Sequence, residues 1–262
     1  MIRVLSLGAG VQSTTLALMA AAGELPMPDC AIFADTGWEP RAVYEHLDWL
    51  EARLPFPVHR VSAGNLRDDI LRGYSDRSRR FASVPWFIAN PDGSVGMGRR
   101  QCTAHYKLEP IARKVVALLG GRPAGGCELW LGISTDEAHR MRPSRVRYIV
   151  NRWPLIDRRM SRSDCRTWLA RFGASAPKSS CLGCPFHSNE QWRDAMADPA
   201  DRAELVEIDR IIRRAGSKGI EMRGEQFMHR SMRPIGEVDL STWAERGQRD
   251  LFGEECSGMC GT

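Results

Sequence analysis

Lysine is scarce in this chain, and arginine stands in its place. Of 37 basic residues only Lys107, Lys114, Lys178 and Lys218 are lysines, and the net charge is +5. Guanidinium groups pair phosphates and carboxylates through a planar fork, so the charge gives mild support for a phosphate-bearing ligand or nucleic acid. Long apolar runs are missing too, and none approaches the ~20 residues that a bilayer-spanning helix needs. The N-terminus has no basic segment followed by an apolar stretch, so the expectation is a cytoplasmic chain with no membrane partner. Internal repeats are absent, and no clear linker appears before about residue 174. A chain of 262 residues with a 43% hydrophobic fraction can build one large α/β domain, alone or with a small appendage. Disulfides are not expected in the cytoplasm, so the eight cysteines point to metal binding or catalysis.

What is present is organised around Leu5-Ser6-Leu7-Gly8-Ala9-Gly10-Val11-Gln12-Ser13-Thr14-Thr15. An apolar run over 2–7 reads as a buried strand, and the Leu- and Ala-rich stretch after the loop reads as a helix stopped at Gly23. Gly8 and Gly10 let backbone N–H groups approach an anion with no Cβ in the way. Ser13 and Thr14 add hydroxyls at the positive end of the helix. A Gly-rich turn that serves only the fold is the competing explanation. The loop is neither G-x-G-x-x-G, since Ser13 holds the third glycine's place, nor G-x-x-x-x-G-K-[ST], since it has no Lys.

Further elements follow in α/β order. Cys30 to Ala34 reads as a second strand leading into Asp35-Thr36-Gly37-Trp38-Glu39-Pro40. Asp35 and Thr36 either contact a nucleotide beside the loop or cap the helix that Pro40 opens. Val58 to Val61 reads as a third strand and Leu66 to Leu71 as a short helix. The stretch 73–100 reads as a long irregular insertion, with Arg77, Arg79, Arg80, Arg99 and Arg100 interleaved with Phe81, Trp86 and Phe87. It is either a solvated basic loop or a cover for phosphates and bases. A helix over 108–119 and a strand over 128–133 come next. Asp136 and Glu137 then stand where two carboxylates could hold Mg²⁺ on a pyrophosphate. Ser161 with Asp164 forms a capping-box-like helix start, and 189–196 and 200–214 read as scaffold helices.

The cysteines divide into two groups. Cys30, Cys127 and Cys165 fall in strand or helix patterns and read as packing residues. Cys102, Cys181, Cys184, Cys256 and Cys260 sit in motif-like settings. Cys181-Leu182-Gly183-Cys184-Pro185 has the C-x-x-C-P form shared by iron–sulfur and zinc sites, where two thiolates chelate one centre.

The loop resembles the PP-loop, S-G-G-x-D-S, of ATP pyrophosphatases and their relatives the phosphoadenylylsulfate (PAPS) reductases. Gly10 and Ser13 match, while Gly8, Ala9 and Gln12 replace Ser, Gly and Asp. Asp35-Thr36-Gly37 is similar to the D-T-G after strand two in the same reductases. Cys102-Thr103-Ala104-His105-Tyr106-Lys107-Leu108-Glu109-Pro110 is similar to C-C-x-x-x-K-x-E-P in adenylylsulfate (APS) reductases, with Thr103 in place of the second Cys. Gly132 and Glu137 match G-x-R-x-x-E-S, with Ser134 replacing the Arg and Arg140 or Arg142 available to compensate.

The resemblance implies an open, mostly parallel twisted sheet flanked by helices, of the adenine nucleotide alpha hydrolase-like type. It suggests a nucleotide-binding domain over 1–173 and a helical Cys-containing region over 174–262. Ser6, Gly8, Ala9, Gly10, Gln12, Ser13, Thr14, Asp35, Thr36, Gly132, Glu137 and Arg140 would contact an adenine nucleotide, with Lys107 as a point charge on phosphate or sulfonyl oxygen. Cys102, Cys181, Cys184 and Cys260 would hold a [4Fe–4S] cluster, leaving Cys256 as the reactive thiol. A competing assignment exchanges Cys102 with Cys256, and four thiolates would also suit structural Zn²⁺. The implied activity is ATP-dependent, pyrophosphate-releasing sulfur transfer, with nucleic acid among the acceptors and a cysteine desulfurase as a sulfur donor. The alternatives are a PAPS or APS reductase served by a thioredoxin-like thiol, and a non-catalytic metal-stapled nucleic-acid-binding module.

Overall fold

The computed structural model describes residues 1–73, 83–121, 126–214, 224–242 and 245–247. Its centre is a five-stranded parallel sheet built from β1 (Ile2–Ser6), β2 (Cys30–Asp35), β3 (Val58–Ser62), β6 (Cys127–Trp130) and β7 (Ile149–Arg152), in the order β3-β2-β1-β6-β7. The expected α/β architecture, a parallel sheet flanked by helices, is what the chain forms. Successive strand residues alternate between faces, and each face has its own apolar cluster. Leu5, Ala31, Phe33 and Trp130 pack against α1 (Val11–Ala21), α2 (Arg41–Glu51) and α6 (Arg162–Arg171). Val4, Cys30, Ile32 and Leu129 pack on the other face against Ile111 and Val115 of α4 (Glu109–Leu118). Both faces are therefore covered, as a parallel sheet requires.

The strand order reverses between β1 and β6, so the loops leaving these two strands diverge at their carboxyl ends. A crevice opens there by topology alone. Gly132, just past β6, lies so close to α1 that a Cβ on it would stand 2.9 Å from the Ser13 nitrogen. Only glycine lets the two loops meet at this spacing.

The remaining elements are α3 (Leu66–Arg72), the hairpin β4 (Phe87–Ala89) and β5 (Val95–Met97), the short α5 (Pro154–Asp157), α7 (Asn189–Ala195), α8 (Pro199–Arg214) and β8 (Glu225–Phe227). The described part of the insertion, 83–100, is not irregular. Its hairpin pairs with β8 in a second, antiparallel sheet of order β5-β4-β8. Arg77, Arg79, Arg80 and Phe81 lie outside the described residues. β7 is a further element beyond the sequence reading, since Ile149-Val150 offers too short an apolar run to stand out.

The helix expected over 108–119 begins earlier, as a wide π-helical turn at Thr103–Leu108. Pro110 has no N–H to give an α-helical bond back to Tyr106, which fits a widened turn at this point. A third apolar cluster joins Trp38, Leu66, Trp86 and Tyr106 to Leu182, Trp192, Leu205, Ile208 and Met228. It packs both scaffold helices against the insertion and the end of β2. Among the described residues no helix is long and apolar enough to cross a membrane.

Candidate nucleotide crevice and thiol cavity

The loop after β1 is built around one hydroxyl. Ser13 Oγ accepts the backbone N–H groups of Gly8 at 3.2 Å and Gly10 at 3.3 Å, and donates to the Gly10 carbonyl at 3.3 Å. Two amides thus converge at the start of α1, where the helix dipole is positive. Ala9 between them is buried and takes a positive φ of 53°. Ser6 ends β1 below the loop, paired in register with Ile32. Thr14 turns elsewhere: it is fully buried and its hydroxyl lies 2.9 Å from His46 Nε2, tying α1 to α2. Ser179 covers the loop from the opposite side. A Cβ on Gly10 would stand 2.4 Å from its Oγ, and one on Gly8 would stand 3.2 Å from it.

The far wall is a polar chain. Gln12 Nε2 donates to Ser134 Oγ at 3.4 Å and to Glu137 Oε2 at 3.1 Å, and Arg140 pairs with Glu137 Oε1 at 2.7 Å. Gln12, Glu137 and Arg140, three of the residues named from the sequence, are therefore joined as one unit. Asp136 is not part of it, because its carboxylate accepts the backbone N–H of Arg162 at the start of α6. The two carboxylates considered for Mg²⁺ have separate partners.

At the end of β2, Asp35 Oδ1 accepts the N–H of Gly37 at 2.7 Å and the hydroxyl of Tyr44 at 2.8 Å. Burial and that bond push the Tyr44 hydroxyl well above its usual pKa. The buried Thr36 donates to Glu39 Oε1 at 3.0 Å. Neither residue caps α2, whose N-cap is Pro40 with no side-chain bond. Both instead fix the turn that carries Trp38 and Glu39.

That turn grips the C-x-x-C loop. Leu182 donates its N–H to the Trp38 carbonyl at 2.8 Å, and Trp86 Nε1 donates to the Gly183 carbonyl at 2.9 Å. The two indoles meet edge to face, with ring centres 6.4 Å apart. A Cβ on Gly183 would stand 2.2 Å from Trp38 Cη2. Cys102, Cys181 and Cys184 all line a small apolar cavity of about 30 Å³, together with Trp38, Arg100, Lys107 and Phe186. The Arg100 guanidinium lies over the Phe186 ring, 5.7 Å from its centre. Glu39, nearly fully buried, joins the cavity wall to the sheet. Its Oε1 is 3.3 Å from Lys107 Nζ and 3.7 Å from Cys181 Sγ.

The thiol donors suit iron or zinc in kind, and Arg100 and Lys107 offer charge against thiolates. No group of three or more donor side chains stands at metal-holding distance among the described residues. Cys256 and Cys260 lie outside them. Beside the cavity, Ser180 Oγ and His187 Nε2 are 2.6 Å apart, and complete burial lowers the His187 pKa to about 3. Cys30, Cys127 and Cys165 are buried in the sheet and helix cores as expected of packing residues.

Trp38, Glu39 and Ser179 received no role from the sequence. Trp38 and Glu39 follow the D-T-G and could have been flagged there, whereas nothing local marks Ser179 as the cover of a loop so distant in sequence.

No family model matches the chain, and no curated protein matches it. Among solved structures it is similar to a phosphoadenylyl-sulfate (PAPS) reductase from Candida auris described as a phosphate complex. That likeness has 13% identity, covers 67% of this chain and 75% of that one, and has a TM-score of 0.46.

Proposed function

We propose that the crevice binds an adenine nucleotide and that the chain is a PP-loop enzyme of ATP-dependent, pyrophosphate-releasing sulfur transfer. The observation that carries this reading is the convergence of the Gly8 and Gly10 N–H groups on one point at the start of α1, held by Ser13 Oγ. A phosphate oxygen arriving there exchanges a neutral hydroxyl acceptor for a charged one, and charge-assisted bonds are roughly twice as strong. Ser13 is then released to donate to the β- and γ-phosphates. In the reaction an acceptor oxygen attacks the α-phosphorus, the α–β bridging bond breaks, and pyrophosphate leaves with the electron pair. A sulfur nucleophile then displaces AMP from the adenylated acceptor. Lys107 supplies positive charge on the side of the thiol cavity, oriented by Glu39.

Cys102, Cys181 and Cys184 would hold a [4Fe–4S] cluster with Cys260 as the fourth ligand. When bound, such a cluster supplies sulfur or electron chemistry next to the crevice. That Cys102 lines the same cavity as Cys181 and Cys184 supports a ligand role for it and leaves Cys256 as the sulfur-carrying thiol.

Calorimetric titration with ATP, AMP and PAPS, together with a pyrophosphate-release assay, tests the reading. Ser13→Ala is expected to weaken ATP binding roughly ten-fold, the worth of one bond to a charged group, and to change AMP binding little. Equal weakening of both nucleotides would remove the role given to Ser13. Tight PAPS binding with sulfite release and no pyrophosphate would replace the proposed activity with a reductase.

A further inference from the structure

Arginine is not spread evenly over this molecule. Residues 139–171 hold ten arginines and two carboxylates, a net charge of +8 in a chain whose total is +5. Outside that segment the chain is net negative. Genome composition can raise arginine everywhere, but it does not gather it on one segment.

The segment begins at the crevice and runs along the sheet's edge. Arg140 joins the Gln12–Glu137 chain of the crevice wall. The Arg142 carbonyl accepts the Asn151 side chain at 2.9 Å, which lays the following loop beside β7, an outermost strand of the five-stranded sheet. The Met160 carbonyl accepts the Thr135 N–H at 2.9 Å, returning the chain to the crevice wall before α6 starts.

Three of these arginines have carboxylate partners: Arg140 with Glu137, Arg152 with Glu128 and Arg158 with Glu24. Arg142, Arg145, Arg147, Arg159 and Arg166 are all exposed, and among the described residues none of them has an acidic partner. Of these, Arg142, Arg145 and Arg147 lie on the loop that leads into the outermost strand β7, so three guanidiniums without acidic partners gather there and draw anions to them. Arginine rather than lysine favours a phosphate backbone, whose oxygens the planar fork matches.

We propose that this edge is the docking surface for a nucleic-acid strand, which it leads to the nucleotide crevice as the sulfur acceptor. The surface itself stands on the charge distribution, whereas its delivery role rests on the reading of the crevice given above.

Labelled single-stranded RNA and DNA are titrated with full-length protein by fluorescence anisotropy from 50 to 200 mM salt, in parallel with ATP calorimetry. If three phosphates are neutralised, the logarithm of affinity falls against the logarithm of salt with a slope of about −2. Arg145→Ala/Arg147→Ala, both at exposed positions, should weaken binding several-fold at the higher salt and make the slope shallower by about 1 to 1.5. ATP affinity and the melting temperature should stay as in the parent protein. Absence of binding to either nucleic acid, or a variant that keeps the parent's affinity and slope, overturns the proposal. So does binding to anionic vesicles alone. If nucleic acid binds as described while ATP does not, the docking surface stands and the ATP reading of the crevice falls.

Discussion

Two sets of thiols in this molecule share a side chain and little else. Cys30, Cys127 and Cys165 lie inside the sheet and helix cores. Burial, with Asp29 or neighbouring carboxylates adding to it, raises Cys30 and Cys165 to about 11 and Cys127 to about 12. Such sulfurs act as small apolar fillers, protonated across the physiological range. Cys102, Cys181 and Cys184 instead line a cavity shared with Arg100 and Lys107. Cys181 and Cys184 sit on a loop clamped by two tryptophans, and Cys102 and Cys181 are only half-buried, although Cys184 is buried. The contrast teaches that position in the fold decides what cysteine is for. A thiol between sheet and helix is packed away, whereas Cys102 and Cys181 at the cavity stay partly exposed.

The largest expected effect separates the two sets outright. Cys181→Ser or Cys184→Ser should abolish the metal binding proposed for this loop, read as iron, sulfide and zinc content after anaerobic purification, while Cys165→Ser should leave that content as in the parent. Metal retained at full stoichiometry in Cys181→Ser would erase the distinction. A colourless parent protein with one zinc and no iron would keep the distinction and change the metal.

Alkylation sharpens it next. In metal-free folded protein at pH 8, iodoacetamide followed by peptide mass mapping should label Cys102 and Cys181 at least about a hundred-fold faster than Cys30, Cys127 or Cys165. The buried set has both a raised pKa and no access, so it should react only after unfolding.

A third test breaks the clamp without touching sulfur. Gly183→Ala drives a methyl group into the Trp38 ring. Overpacking of this kind should cost about 1–3 kcal/mol in denaturant unfolding and loosen metal binding. A Gly183→Ala protein as stable as its parent, with full metal content, would show that the tryptophans merely neighbour the loop.

The smallest effect is on pH. His187 has a folded pKa near 3, so below its ordinary value near 6.5 the unfolded chain takes up a proton that the folded one refuses. Its contribution to stability should be complete above that value and decline as pH falls toward 3. The buried thiols act at the other end: their raised pKa values make stability decline as pH rises from the ordinary thiol range toward 11 or 12. Melting temperatures from pH 4 to 10 read both slopes, and His187→Gln should flatten only the acidic one.

Much of the sheet was legible in the sequence because its signals are local. Short continuous apolar runs mark β1 and β2, an amphipathic pattern marks α2, and Ser161 and Asp164 exchange both bonds of a capping box. The packing role of Cys30, Cys127 and Cys165 followed from the same patterns. What escaped depends on partners far along the chain. β4, β5 and β8 are three residues each and become strands only by pairing with one another. Gly183 shows no need for glycine until Trp38 lies on it. Likewise the sequence suggested a phosphate-side hydroxyl at Ser13, but gave no sign that it is the acceptor holding the loop's own amides together.

The pairing of β4 with β8 also sets an order of events as the chain is made. Phe87 waits for Phe227 before its strand has both neighbours. During synthesis at ~5–20 residues per second, the hairpin leaves the ribosome many seconds ahead of that partner. Over that interval one edge of β4 offers unpaired amides and carbonyls to any passing strand. The central sheet completes its pairing at β7 and its covering at α6, both well before β8, and can close early. The second sheet should consequently form last, and it is where chaperone dependence and aggregation of a truncated chain should concentrate.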